Sequence, residues 1–216
     1  LAVTLFGAFE EGWREGFGAD ADHLKTPDDV AVCAAAGFTM FTIDPGDHVI
    51  SGADAMDSAE LDAAVTGEWR ARADAYAGAT LMLGDLTLSI TEEDAYRAVA
   101  KYGKAIDHAV AMVEAIRVAA GEDVDIEISV DETDTPTTPC EHYIVANELT
   151  KRGVHVTSLA PRFRGEFEKG VDFRGDLDAF RRDLALHAAI ADECGPYKLS
   201  LHSGSDKFSV YPAMAA

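Results

Sequence analysis

The eight residues Val124-Asp125-Ile126-Glu127-Ile128-Ser129-Val130-Asp131 alternate strictly between apolar and polar. A period of two belongs to a β-strand, because successive side chains leave opposite faces of the pleat. Such a strand must lie between two unlike environments. Val124, Ile126, Ile128 and Val130 need a layer of helices, whereas Asp125, Glu127, Ser129 and Asp131 need water, a cavity or hydrogen-bonding partners.

The rest of the chain fits a sheet with helices on one side. Thr26-Pro27-Asp28-Asp29 supplies an N-cap, a proline at the first helical position and acids at the helix N-terminus. That helix runs through 30–36 to Gly37 and is followed by a buried strand, Phe38–Ile43. Residues 57–77 and 91–120 are alanine-rich and helical, the second opening on Thr91 with Asp94 as a capping box. A helix is predicted from Thr138 to Arg152, a strand over Val154–Leu159, a helix over 176–194 and a strand over Tyr197–His202. With a short strand near Phe17-Gly18-Ala19, this makes about five strands. Strand, polar loop, helix, strand in repetition predicts parallel strands with helical crossovers. The expected fold is α/β: one partial TIM-type (β/α) barrel domain over residues 1–216, with a long helical insertion at about 50–121. A closed eight-stranded barrel takes about 250 residues, so a chain of 216 with this insertion is expected to be truncated at both ends.

Composition excludes some partners. Thirty-nine Asp and Glu against 18 Lys and Arg give a formal charge of −21, which repels nucleic acid and anionic membranes. Solubility alone explains such acidity, yet it means that an anionic substrate needs local positive charge. No apolar run is long enough to span a bilayer and no signal segment opens the chain. Three cysteines without a CxxC pair fit reduced thiols. A cytoplasmic protein is expected.

Polar residues gather where strands end, which is where (β/α) barrels place their active sites. Asp22 and His23 are either a loop acid and a surface histidine, or a base beside a metal-ligating imidazole, with Lys25 near enough to meet a substrate carboxylate. His202 is either a satisfied core histidine or a metal or substrate contact. Ser203, Asp206 and Lys207 follow it, in a glycine-containing loop that lets backbone approach a ligand. Glu127 is either a carboxylate paired with a Lys or Arg of a neighbouring strand or a general acid–base group. Glu132 competes with it, as does Glu166. Arg162 is a candidate anion clamp. His48, His108, His142, His155 and His187 are taken as structural or surface residues, Cys140 as inert, and Trp13 and Trp69 as packing.

Several long stretches resemble the tagaturonate/fructuronate epimerase family: Gly18–Thr26, Gly37–Asp44, Ser129–Thr133, Thr157–Phe163 and His202–Pro212. The resemblance covers nearly the whole chain and is least clear over 50–120. It implies a divalent-metal-dependent epimerisation of D-tagaturonate to D-fructuronate in hexuronate breakdown, on a TIM-like barrel about twice this length. By the same resemblance Asp22 looks like the proton acceptor and His23 and His202 like ligands of Mn, Co, Ni or Zn. A Glu from among Glu127, Glu132 and Glu166 is the partner acid, and a further metal-binding His lies on a later strand. The inverted carbon is one position beyond the carbon next to the ketone, so simple enolisation does not reach it. Without a GxGxxG fingerprint for transient oxidation, a metal-held retro-aldol route through an enediolate is favoured. The alternatives are a related metal-dependent sugar isomerase or aldolase, or a non-catalytic fragment that binds sugar acid or metal.

Overall fold

A computed structural model describes residues 2–16 and 18–215. Five parallel strands form its sheet: β1 (Asp20–Leu24), β2 (Met40–Ile43), β5 (Asp125–Val130), β6 (Ser158–Pro161) and β7 (Lys198–Leu199), in that spatial order. Strand order follows chain order, as in successive units of a (β/α) barrel, and the sheet is not closed. Helix α2 (Pro27–Ala35) crosses from β1 to β2, α5 (Glu92–Ala120) leads into β5, α6 (Pro139–Lys151) joins β5 to β6, and α7 (Leu177–Cys194) joins β6 to β7. Two short helices, α1 (Ala2–Glu10) and α8 (Tyr211–Met214), stand at either end.

Local chemistry sets the helix starts. Thr26 with Asp29, Thr91 with Asp94 and Thr138 with Glu141 each form a reciprocal capping box. Each satisfies backbone N–H groups that the first turn leaves unpaired. The alternation in β5 sorts as its period requires. Ile126, Ile128 and Val130 are buried against Ile106, Ala109 and Val113 of α5 and Val145 of α6, each contributing roughly 1.5–3 kcal/mol.

Three strands depart most from expectation. Phe17 lies outside the described residues, and the first strand is Asp20–Leu24, so Asp22 and His23 belong to the strand itself. β6 begins four residues later than Val154, because pairing with β5 starts only where the Thr157 N–H donates to the Ile126 carbonyl at 2.8 Å. Val154 turns into the core instead. β7 has two residues, extended by the Ser200 N–H donating to Leu159, so His202 stands in the loop beyond it.

The 50–121 segment is more than an insertion. Its first part folds into α3 (Ser58–Ala64), α4 (Gly67–Tyr76) and an antiparallel hairpin, β3 (Thr80–Leu83) with β4 (Leu86–Ser89). Helix α5 then serves two cores: Ala95, Tyr96 and Val99 pack against α3, α4 and the hairpin, while Tyr102 to Ile116 cover the parallel sheet. Trp69 of α4 packs over Gly103 of α5, where a Cβ would lie 3.1 Å from the indole. Trp13, by contrast, follows α1 and is exposed, so it is not a packing residue.

Candidate active site

The polar face of the sheet opens into a cavity of about 610 Å³ at the C-terminal ends of the strands. On this face of the sheet, hydroxyls pair with carboxylates along and across neighbouring strands, and Glu127, Ser129, Asp131 and Ser200 of these pairs line the cavity. The Thr42 hydroxyl of β2 donates to Asp20 of β1 at 2.8 Å. Glu127 of β5 accepts hydrogen bonds at Oε2 from the Ser158 hydroxyl of β6 and from the Ser200 hydroxyl after β7. Glu127 is therefore held by neutral hydroxyls rather than by a lysine or arginine. The Ser129 hydroxyl donates to Asp131. Burial raises the Asp20 carboxyl above its usual range against the Thr42 bond, with Asp22 and Glu127 adding like charge.

His23 and His202 both line this cavity, with Asp131 and Glu132. His23 sits at φ 57°, and pairing of β1 with β2 shifts register between Ala21 and Leu24. Its Nδ1 lies 2.5 Å from Asp22, which leaves Nε2 uncommitted. Burial opposes the charge on this ring, but Asp22, Asp44 and Asp131 outweigh it and raise its pKa. His202 is half-buried; its Nε2 accepts the Phe163 N–H at 3.2 Å, and its ring packs on Phe167 at 4.4 Å. Burial lowers its pKa, Asp131 opposing and Arg162 and Lys207 adding to the effect. Ser203, next in the chain, has φ 48°. Among the described residues, His23 and Ser203 are the only non-glycine residues with positive φ. Backbone strain of this kind persists where surrounding structure enforces it, and it concentrates at functional sites.

The loop after β6 forms the far wall. Arg162 donates to the Thr133 carbonyl while facing the cavity. Glu166 and Arg174 exchange backbone hydrogen bonds, and Gly165 is required there because a Cβ would come within 2.2 Å of the Phe173 ring. Lys207 and Asp206 fasten this loop. Buried Lys207 donates to the carbonyls of Glu168 and Val171 at 2.6 and 2.5 Å, and Asp206 accepts the Gly170 N–H. Those two candidate substrate contacts are therefore committed to structure. Lys25 is likewise engaged by Asp44 at 3.1 Å and Asp47 at 3.4 Å, off the cavity wall. Asp22 stands behind His23. Glu127, Glu132, Glu166, Arg162 and Ser203 all reach the cavity. Sequence reasoning missed Ser158, Ser200 and Phe167. Nothing local marks them, since they matter through strands distant in sequence.

The donor chemistry fits a divalent cation in part. His23 keeps the Nε2 lone pair and has the carboxylate partner usual behind a ligating histidine, whereas the Nε2 lone pair of His202 is taken by the Phe163 N–H. Among the described residues, no three His, Cys, Asp or Glu side chains converge in ligating geometry. The charge balance points the same way as the imidazoles. Glu127, Asp131, Glu132, Glu166 and Glu168 face two fixed cations, Arg162 and Lys169, so an anionic ligand needs added positive charge.

The tagaturonate epimerase family model matches residues 1–216. The chain belongs to the tagaturonate epimerase family. It is 45% identical to a tagaturonate/fructuronate epimerase of Thermotoga maritima, covering 100% of this chain and 45% of that protein. The native crystal structure of fructuronate-tagaturonate epimerase UxaE from Cohnella laeviribosi superposes with a TM-score of 0.92 and 42% identity, over 97% of this chain and 44% of that one. A glycerol complex of the same enzyme matches with a TM-score of 0.91 and 41% identity, over 97% and 43%. The chain thus spans less than half the length of these epimerases. Its α/β sheet is that of an epimerase family member, and the cavity lies on the polar face of that sheet.

Proposed function

We propose that the protein interconverts D-tagaturonate and D-fructuronate in hexuronate catabolism, in the cytoplasm. The observation that carries this reading is the chain-long similarity to epimerases together with a cavity that gathers Glu127, His23, Arg162 and His202. Arg162 suits the substrate carboxylate, as its planar fork matches carboxylate geometry. Glu127 is the best placed of the three glutamates for proton transfer: Ser158 and Ser200 occupy Oε2, and Oε1 carries no hydrogen bond from a described residue. Glu132 and Glu166 are more exposed and lack such support.

The chemistry follows from the position of the inverted carbon. A base takes the proton of the hydroxyl on that carbon. Its bond to the carbon beside the ketone breaks, leaving an aldehyde and an enediolate. After the aldehyde rotates, the bond re-forms on its other face and the proton returns. His23 through Nε2 and His202 through Nε2, once it gives up the Phe163 N–H, are the residues of this chain that would hold a divalent metal such as Mn, Co, Ni or Zn. Bound there, the ion supplies Lewis acidity at the ketone oxygen and charge against a carboxylate-rich wall. Asp22 fixes the His23 ring by accepting at Nδ1 and keeps its second oxygen for proton transfer.

Tagaturonate turnover by the full-length protein, abolished by EDTA and restored by Mn or Co, is the expected result. His202→Ala should remove the metal; unchanged metal content by elemental analysis sinks the ligand assignment. Release of two shorter products instead of the epimer would make the protein an aldolase.

A further inference from the structure

We propose that Ser158 and Ser200 are positioning residues for Glu127, two hydroxyls from successive strands that clamp one carboxylate oxygen and aim the other at the substrate. The inference rests on Glu127 being the proton-transfer group of the proposed epimerase.

The sheet register makes the clamp possible. Glu127 pairs with Ser158 across β5 and β6, and Ser158 pairs with Lys198 across β6 and β7. Ser200 lies two residues beyond Lys198, on the same face of its strand, where side chains of a period-two element return. Both hydroxyls donate to Oε2. A serine hydroxyl has one proton, so a serine that gives it to Glu127 has none left for the substrate. Ser158 is buried and outside the cavity lining, while Ser200 is on it. Their common task is therefore the carboxylate.

The choice of donor matters. A lysine or arginine would neutralise Glu127 and compete with the substrate for its proton-accepting oxygen. Two neutral donors on one oxygen restrain the side chain and leave its charge and Oε1 available. Thr42 and Asp20 repeat the hydroxyl–carboxylate pairing one step along the same face. That repetition separates this face from the helix side of the sheet, where Lys101 and Arg72 meet Glu141 and Glu148.

The test is steady-state kinetics of the full-length metal-loaded enzyme carrying S158A/S200A, S200A, S200T and E127Q. Misaiming a reacting group by about 1 Å costs on the order of 10²-fold. The double variant should therefore lose about 10- to 100-fold in kcat with KM changed less than about twofold, and S200T should recover most of what S200A loses. E127Q should lose about 10²–10⁴-fold in kcat. If E127Q turns over like wild type, the assignment of Glu127 to proton transfer falls, and the clamp with it. If E127Q shows that loss while S158A/S200A keeps wild-type kcat, the clamp alone is overturned. A loss in S200A that S200T does not recover also overturns it, because the hydroxyl is then not what matters. Should the double variant fail to fold, the S200A and S200T pair decides the question.

Discussion

The two faces of the parallel sheet carry charge in opposite ways. On the helix side, the buried Lys101, Glu148 and His142 are each matched to partners. Lys101 is fully buried between Asp54 at 3.0 Å and Glu141 at 3.2 Å, with the Thr135 hydroxyl at 2.9 Å. Glu148 of α6 is taken by the Tyr76 hydroxyl at 2.6 Å, by Arg72 and by Lys151 at 3.5 Å. His142 of α6 bonds His187 of α7 at 2.8 Å and the Tyr197 hydroxyl at 2.7 Å. On the cavity side, Glu127, His23 and His202 each have one polar atom committed and one free. The comparison teaches that burial of a charged group is not the mark of a site; an uncommitted valence facing a cavity is. Cys140 makes the same point, its thiol pushed up to about 12 by burial and so inert.

The sharpest way to break this contrast is to neutralise one carboxylate from each face. On the cavity side, E127Q should cost about 10²–10⁴-fold in kcat with little change in melting temperature, since the proton-transfer role proposed for Glu127 acts on rate rather than packing. On the helix side, E148A should do the reverse. It leaves Arg72 and the Tyr76 hydroxyl without their shared partner, and the expected loss is about 3 kcal/mol of stability by chemical denaturation. kcat should be near wild type well below the melting temperature. An E148A enzyme that is stable but inactive would erase the distinction between the faces.

A smaller effect comes from the buried His142–His187 pair on the helix side. Burial, with His187 alongside, holds the His142 pKa well below its ordinary value of 6.5. The unfolded chain takes up a proton there below about pH 6.5, and the folded chain does not. Stability is therefore retained above that pH and lost as pH falls through it. Denaturation between about pH 7.5 and about pH 5.5 should show this slope, and H142Q, which has no proton to gain, should flatten it. An unchanged slope in H142Q would move the pH dependence to other groups.

Much of the fold was legible along the chain. The capping boxes at Thr26, Thr91 and Thr138, and the stripe of β5, depend on residues a few positions apart. What failed depended on distance. The β3–β4 hairpin carries a local signal, the Gly84-Asp85 turn with Gly84 at φ 59°, overshadowed by the helical composition on either side. The division of α5 between two cores is invisible to periodicity, because both halves present a continuous apolar face. β6 slid from Val154 to Ser158 because the pairing of β5, not the apolar run, decides where a parallel strand begins.

Among the site residues the division is the same. The sequence alone placed carboxylates and imidazoles at strand ends, because alternation and chain order determine which face each residue takes. Only tertiary structure decided which of them are free. Lys207 looked like a substrate contact and is spent on two carbonyls, 39 and 36 residues away. Glu127 looked like one acid among three, and it is the one that accepts hydrogen bonds from Ser158 and Ser200, 31 and 73 residues away. A hydrogen bond is a contact in space, and periodicity along a chain says which way a side chain points but not what it meets.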